Sequence, residues 1–217
     1  FDADDTLWHN ERLFSMTLEK FRGILQEHAP DLVDRQLLDI EKKNLQVFGY
    51  GIKGFVLSMI ETSIQLTKGE ISGNEIEQIM DFGREMLTAP IQLLEHVEDT
   101  LQYLQNNYIL LLITKGDLID QETKIARSGL SDYFNSIEII SEKNVPAYQK
   151  ILDKHQIQPE RFLMVGNSIR SDILPVLEMG GTTLYIPYEI DWAHEQDSKP
   201  RSSTSFHEMT HLGQLPG

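Results

Sequence analysis

The chain has 217 residues, 40% of them hydrophobic and 24% charged, the make-up of a globular protein with one large domain or a core with an insert. Its formal net charge of -15 repels a nucleic-acid backbone and argues against a nucleic-acid partner. A small anionic substrate stays open, because a local cation reverses the field inside a site. With no cysteine there is no disulfide framework and no thiolate ligand or nucleophile, and no apolar run approaches the roughly 20 residues that span a bilayer. No signal peptide is visible, so no membrane partner and a cytoplasmic location are expected.

The opening, Phe1-Asp2-Ala3-Asp4-Asp5-Thr6-Leu7, crowds three carboxylates into a short stretch, which is costly unless a cation or a reaction uses them. In an extended segment Asp2 and Asp4 project to one side and Asp5 to the other. If Phe1-Asp2-Ala3 ends a buried strand, the earlier residues of that strand are missing from this sequence.

Residues 10–88 read as an all-helical insert. Phe14, Leu18, Phe21 and Leu25 recur at helical spacing, Pro30 stops that helix, and Asp31 is positioned to cap the next. Ile52, Phe55, Met59 and Ile60 mark a third helix. Ser72 with Glu75 forms a capping box ahead of a fourth.

From 89 onward helices alternate with strands. A helix carrying Leu94, Val97, Leu101 and Leu104 leads to an apolar strand over 108–113, and a further helix ends at Gly129. Strands are expected at 137–140, 162–165 and 182–186, with helices around 148–155 and up to Gly180-Gly181. This pattern predicts an α/β fold: a Rossmann-like parallel sheet covered by helices, built from 1–9 and 89–217, with 10–88 inserted. Ligands in such sheets bind at the carboxyl ends of the strands. Those ends carry Asp2 and Asp4, Thr114, Lys143 shortly after the third strand, and Gly166-Asn167 with Asp172 beyond the fourth. Each alone has a plainer reading as a helix cap, a solvated lysine or a first-turn acid. Jointly they gather acids, a hydroxyl and a cation on one rim, as phosphoryl transfer requires.

These residues resemble, in order, the four motifs of the haloacid dehalogenase-like hydrolase superfamily. Asp2-Ala3-Asp4-Asp5-Thr6 matches its D-x-D-x-[TV] motif, Thr114 its Ser or Thr after a strand, Lys143 its Lys, and Gly166 to Asp172 its acidic pair, with Asn167 where Asp is usual. The insert resembles the superfamily's helical cap of the C1 kind. The resemblance implies a magnesium-dependent phosphatase of a small phosphorylated metabolite, working through an aspartyl phosphate. Asp2 is then the nucleophile and Asp4 the general acid and base, with Asp2 ionised and Asp4 able to hold a proton. Thr114 and Lys115 bind the phosphoryl group and Lys143 neutralises its charge. Asp2, the Asp4 carbonyl, Asn167 and Asp172 hold Mg2+. Asp4 favours a phosphatase over a dehalogenase, since an expelled halide needs no proton and an alkoxide does. A phosphomutase or dehalogenase of the same superfamily, or a low-activity member that binds a ligand or partner, is the alternative.

Three further stretches carry partial motifs or none. Gly49-Tyr50-Gly51-Ile52-Lys53-Gly54 matches a dinucleotide fingerprint but follows a predicted helix rather than the strand it needs. In the cap reading, Tyr50 and Lys53 are candidate substrate contacts; a plain loop–helix junction is the alternative. His207-Glu208-Met209-Thr210-His211 matches the zincin H-E-x-x-H pattern, yet little chain follows to supply a third ligand, and a surface turn is expected. The Trp192-Ala193-His194-Glu195 stretch has no assignment.

Overall fold

The structure, a computed structural model, describes residues 1–28, 30–190, 197–200 and 204–215. The chain forms two compact units: Phe1–Glu11 with Ile91–Gly217, and Arg12–Pro90.

The second unit is built from α1 (Glu11–Ile24), α2 (Val33–Phe48), α3 (Ile52–Leu66) and α4 (Gly73–Thr88). Phe21, Leu25, Leu37, Phe55, Met59 and Ile79 join in one buried cluster, the expected consequence of apolar residues at helical spacing. The Ser72–Glu75 capping box forms in full. Asp31 does not cap α2: a 3₁₀ turn over Pro30–Leu32 intervenes, and Leu32 takes the cap position without a side-chain bond. Tyr50 lies in the turn that follows α2 directly, and Lys53 in the first turn of α3. The strand that a dinucleotide fingerprint requires is therefore absent there.

The first unit continues with α5 (Val97–Leu104), β1 (Leu111–Lys115), α6 (Leu118–Ser128), β2 (Ser136–Ile140), α7 (Val145–His155), β3 (Leu163–Gly166), α8 (Leu174–Glu178), β4 (Thr182–Tyr185) and β5 (Phe206–Glu208). The pairs β1–β2, β3–β4 and β4–β5 are all parallel. The opening residues lie between β1 and β3. Phe1 N donates to Leu111 O at 2.7 Å, Ile113 N to Phe1 O at 2.8 Å, and Asp2 N to Val165 O at 2.9 Å. The layer therefore runs β2, β1, opening segment, β3, β4, β5.

Strand alternation sorts its side chains onto two faces. Leu112, Val165 and Leu184 enter a cluster with Leu101 of α5 and Ile125 of α6. Leu111, Ile113 and Met164 enter another with Tyr148 and Ile151 of α7 and Val176 of α8. This is the doubly covered parallel sheet that the alternating pattern predicts. Gly129 ends α6 with φ 75°, a left-handed conformation that glycine adopts without steric penalty.

Two elements differ from expectation. The strand predicted over 108–113 is displaced to Leu111–Lys115, because Tyr108 N still bonds to Leu104 O and closes the end of α5. Tyr108 and Ile109 are exposed in consequence. The surface turn expected at His207 is instead part of strand β5, where pairing with β4 supplies backbone bonds that a short polar stretch does not advertise. On a strand, His207 and Glu208 lack the helical geometry of a zincin pair. The Trp192–Glu195 stretch lies outside the described residues. Among those residues no helix is long and apolar enough to cross a membrane.

Candidate active site

Asp2 closes the opening segment at the carboxyl edge of the layer, beside β1 and β3. Immediately after it the chain turns, with Thr6 N and Leu7 N both donating to Ala3 O. The turn separates the carboxylates that an extended chain would have left side by side. The Asp2 partners are Lys143 and Thr6, whereas the Asp4 partners are Trp8, Gln121 and Lys124. Asp5 takes φ 62°, and its carboxylate accepts from Asn10 N and Glu11 N at the start of α1.

Lys143 bridges two buried acids. Its Nζ stands 2.5 Å from Asp2 Oδ1 and 2.6 Å from Asp172 Oδ1, with all three side chains almost wholly removed from solvent. Thr6 Oγ1 donates to the other Asp2 oxygen at 3.0 Å. Burial raises the Asp2 carboxyl to about 6; Lys143 opposes this and the nearby Asp172 charge adds to it. Asp2 is therefore mainly ionised at neutral pH. Burial alone would lower the Lys143 ammonium, but the Asp172 and Asp2 charges outweigh it and hold the group well above its ordinary value.

Asp4 is gripped on both oxygens. Trp8 Nε1 donates to Oδ1 at 2.7 Å, Gln121 Nε2 to Oδ2 at 2.8 Å, and Lys124 Nζ reaches both, at 2.8 and 2.7 Å. Burial would raise this carboxyl, yet the Lys124 charge and these bonds prevail and hold it below the usual range. In this arrangement Asp4 is the more acidic of the pair, the reverse of the division expected from a proton-holding Asp4. The reason is Lys124, whose role the sequence did not announce. Gln121 and Lys124 lie on α6, near enough along it to share a face.

Thr114 is buried near the end of β1. Lys115 follows it, with Nζ 3.2 Å from Ser171 Oγ and 3.5 Å from Glu142 Oε1. Tyr50 and Lys53 belong to the helical unit. Asp172 sits in a π-helical turn over Ile169–Ile173; its Oδ1 accepts from Lys143 and its Oδ2 from Ser168 N at 3.0 Å. Each oxygen of this expected metal ligand already has a donor.

Gly166 makes that packing possible. A Cβ there would lie 2.2 Å from Asp172 Oδ2 and 2.4 Å from its Cγ, so no larger residue fits while Asp172 holds its place. Gly166→Ala should displace Asp172 from Lys143 and Ser168. A loss of about 1–3 kcal/mol in urea unfolding is the expected overpacking cost. An unchanged midpoint with unchanged slope would show that Asp172 relocates freely.

Three oxygens near Asp2 bear on the implied magnesium. The amide-group atom of Asn167 that faces the site lies 3.1 Å from Thr6 Oγ1 and 3.2 Å from both Asp2 Oδ2 and the Asp4 carbonyl oxygen. With its oxygen inward, Asn167 joins two other acceptors at close to the roughly 3 Å edge of an octahedron whose metal–oxygen distance is about 2.1 Å. Among the described residues no group of three or more His, Cys, Asp or Glu side chains could hold a metal ion. A hard cation would therefore need this carbonyl and amide, and the oxygen donors fit one.

A family model described as haloacid dehalogenase-like hydrolase matches residues 1–180. The chain belongs to the haloacid dehalogenase-like hydrolase family. A solved hydrolase of this family from Xanthomonas campestris is 39% identical and superposes with a TM-score of 0.90, covering 100% of this chain and 87% of that one. Two curated relatives are glyceraldehyde 3-phosphate phosphatases. The one from Pyrococcus furiosus is 29% identical over 93 residues, 41% of this chain and 39% of its own. That of Methanothermobacter thermautotrophicus is 28% identical over 113 residues, 50% of each chain. The chain thus spans half or less of the length of the curated relatives it matches. With the fold above, these likenesses agree with the family that the model match gives.

Proposed function

We propose that this hydrolase is a cytoplasmic phosphatase of a small phosphorylated metabolite, with Asp2 as its nucleophile. The observation that carries the reading is the buried Asp2–Lys143–Asp172 chain at the carboxyl edge of the sheet. A carboxylate kept ionised beside a fixed ammonium suits attack on a phosphoryl group whose charge the same ammonium offsets. An Asp2 oxygen forms a bond to phosphorus as the bond to the leaving oxygen breaks. Water then attacks that phosphorus, inorganic phosphate departs, and the Asp2 carboxylate is regenerated. Thr114 and Lys115 flank the same edge and would hold phosphoryl oxygens. Bound magnesium would supply Lewis-acid stabilisation of the phosphoryl charge. Its ligands in this reading are Asp2, the Asp4 carbonyl and Asn167, with Asp172 acting through Lys143. The helical unit would serve as the cap, with Tyr50 and Lys53 as substrate contacts.

Asp4 would give the leaving oxygen its proton and later take one from water. For the first of these it must part from Lys124, which now holds it ionised. The test is steady-state hydrolysis of an aryl phosphate and an alkyl phosphate, with and without magnesium. Turnover that needs magnesium supports the phosphatase reading; none with any phosphate ester would favour a ligand-binding role. Asp4→Asn should slow alkyl phosphates about 100-fold and aryl phosphates far less, since an acidic leaving group departs unprotonated. Equal losses on both would assign Asp4 to the water step or to the metal.

A further inference from the structure

The surroundings of Asn167 distinguish its two amide orientations by a count of protons. Thr6 has one hydroxyl proton, and Thr6 Oγ1 lies 3.0 Å from Asp2 Oδ2 and 3.1 Å from the inward amide atom of Asn167. With the NH2 inward, Thr6 donates to Asp2, and the amide lies within reach of Thr6 Oγ1, Asp2 Oδ2 and the Asp4 carbonyl, all acceptors. With the oxygen inward, the Asp2 and Asp4 oxygens face a third acceptor at 3.2 Å with no proton between them. That second orientation is stable only around a cation.

We infer that the Asn167 amide is a two-position latch. Its NH2 turns inward to hold Asp2 and the Asp4 carbonyl when the site is metal-free, and its oxygen turns inward to coordinate magnesium. The inference rests on the magnesium reading above. An aspartate at this position could perform only the second task. Without metal it would set a third acceptor against Asp2 and the carbonyl, and the site would come apart more easily. Asparagine keeps the metal-free site assembled, and the same residue becomes a ligand after a half-turn of its amide.

The experiment uses the whole chain with magnesium ion as the probe. Thermal unfolding is followed in EDTA and in saturating magnesium for wild type, Asn167→Asp and Asn167→Ala. In EDTA both variants should melt roughly 3–6 °C below wild type, a span that corresponds to loss of one or two net hydrogen bonds in a chain of this size. In magnesium, Asn167→Asp should return to the wild-type midpoint, having a coordinating oxygen, and Asn167→Ala should not. In 15N-labelled protein the Asn167 side-chain NH2 signals, identified by their loss in Asn167→Asp, should shift on titration with magnesium. They should move more than those of any other side-chain amide. If wild type binds magnesium while these signals stay fixed, or if Asn167→Asp in EDTA is as stable as wild type, the latch is wrong and the magnesium reading survives. If calorimetry detects no magnesium binding to wild type, both fall together. Should Asn167→Ala fail to fold, the aspartate variant and the NH2 signals decide alone.

Discussion

Asp2→Asn should abolish turnover, lowering kcat by at least about 10⁴-fold, while the protein keeps its fold. The amide is nearly isosteric with the carboxylate but does not attack phosphorus. The fold survives because Lys143 retains Asp172 at 2.6 Å, so the buried ammonium is not left unpaired. The paired measurements are steady-state hydrolysis and urea unfolding of the same preparation. A stable variant that keeps a tenth of the wild-type rate would remove Asp2 from the nucleophile's role.

Lys143→Met should damage both stability and catalysis. It removes the one ammonium that stands between two buried carboxylates, at 2.5 and 2.6 Å. Breaking a buried pair from one side costs about 3–5 kcal/mol. Loss of the positive charge beside the phosphoryl group should lower kcat by on the order of 10³-fold. The stability loss has a signed pH dependence. Asp2, already raised by burial to about 6, rises further once Lys143 is gone. Between the unfolded carboxylate pKa and that raised folded value, the native state then binds more protons than the unfolded state. Stability therefore increases as the pH falls through that window. The deficit relative to wild type should be smaller at pH 5 than at pH 8 in urea unfolding. A deficit that is equal at both would mean that the carboxylates find other partners.

Much of this was legible in the sequence, for physical reasons that differ by residue. The sheet showed in short apolar runs because its strands are covered on both faces, and Leu111 to Ile113 are buried on either side. Strand ends were less secure, as the shift of β1 to Leu111–Lys115 shows, since the turn closing α5 takes up Tyr108 first and Ile109 beyond it is exposed. Strand β5 was missed because its stability comes from pairing with β4, not from its own three residues. Lys143 and Asp172 were found by their order relative to Asp2, and the structure joins them. Lys124 and Gln121 were not found. Lysine and glutamine on a helix ordinarily face water, and only the turn after Ala3 brings Asp4 onto them. The assumption that Asp2 and Asp4 would share one side failed for the same reason, because alternation holds only while the chain stays extended.

The central claim, that Asp2 is the nucleophile in a phosphoryl-transfer cycle, is tested most directly by catching the covalent intermediate. Protein mixed with a ³²P-labelled phosphate ester in the presence of magnesium is quenched in acid within the first turnover, digested and mapped. The account predicts acid-stable, hydroxylamine-labile label on the peptide that contains Asp2, and none in Asp2→Asn. Rapid release of inorganic phosphate with no labelled peptide at any quench time, or label on a peptide lacking Asp2, would contradict it.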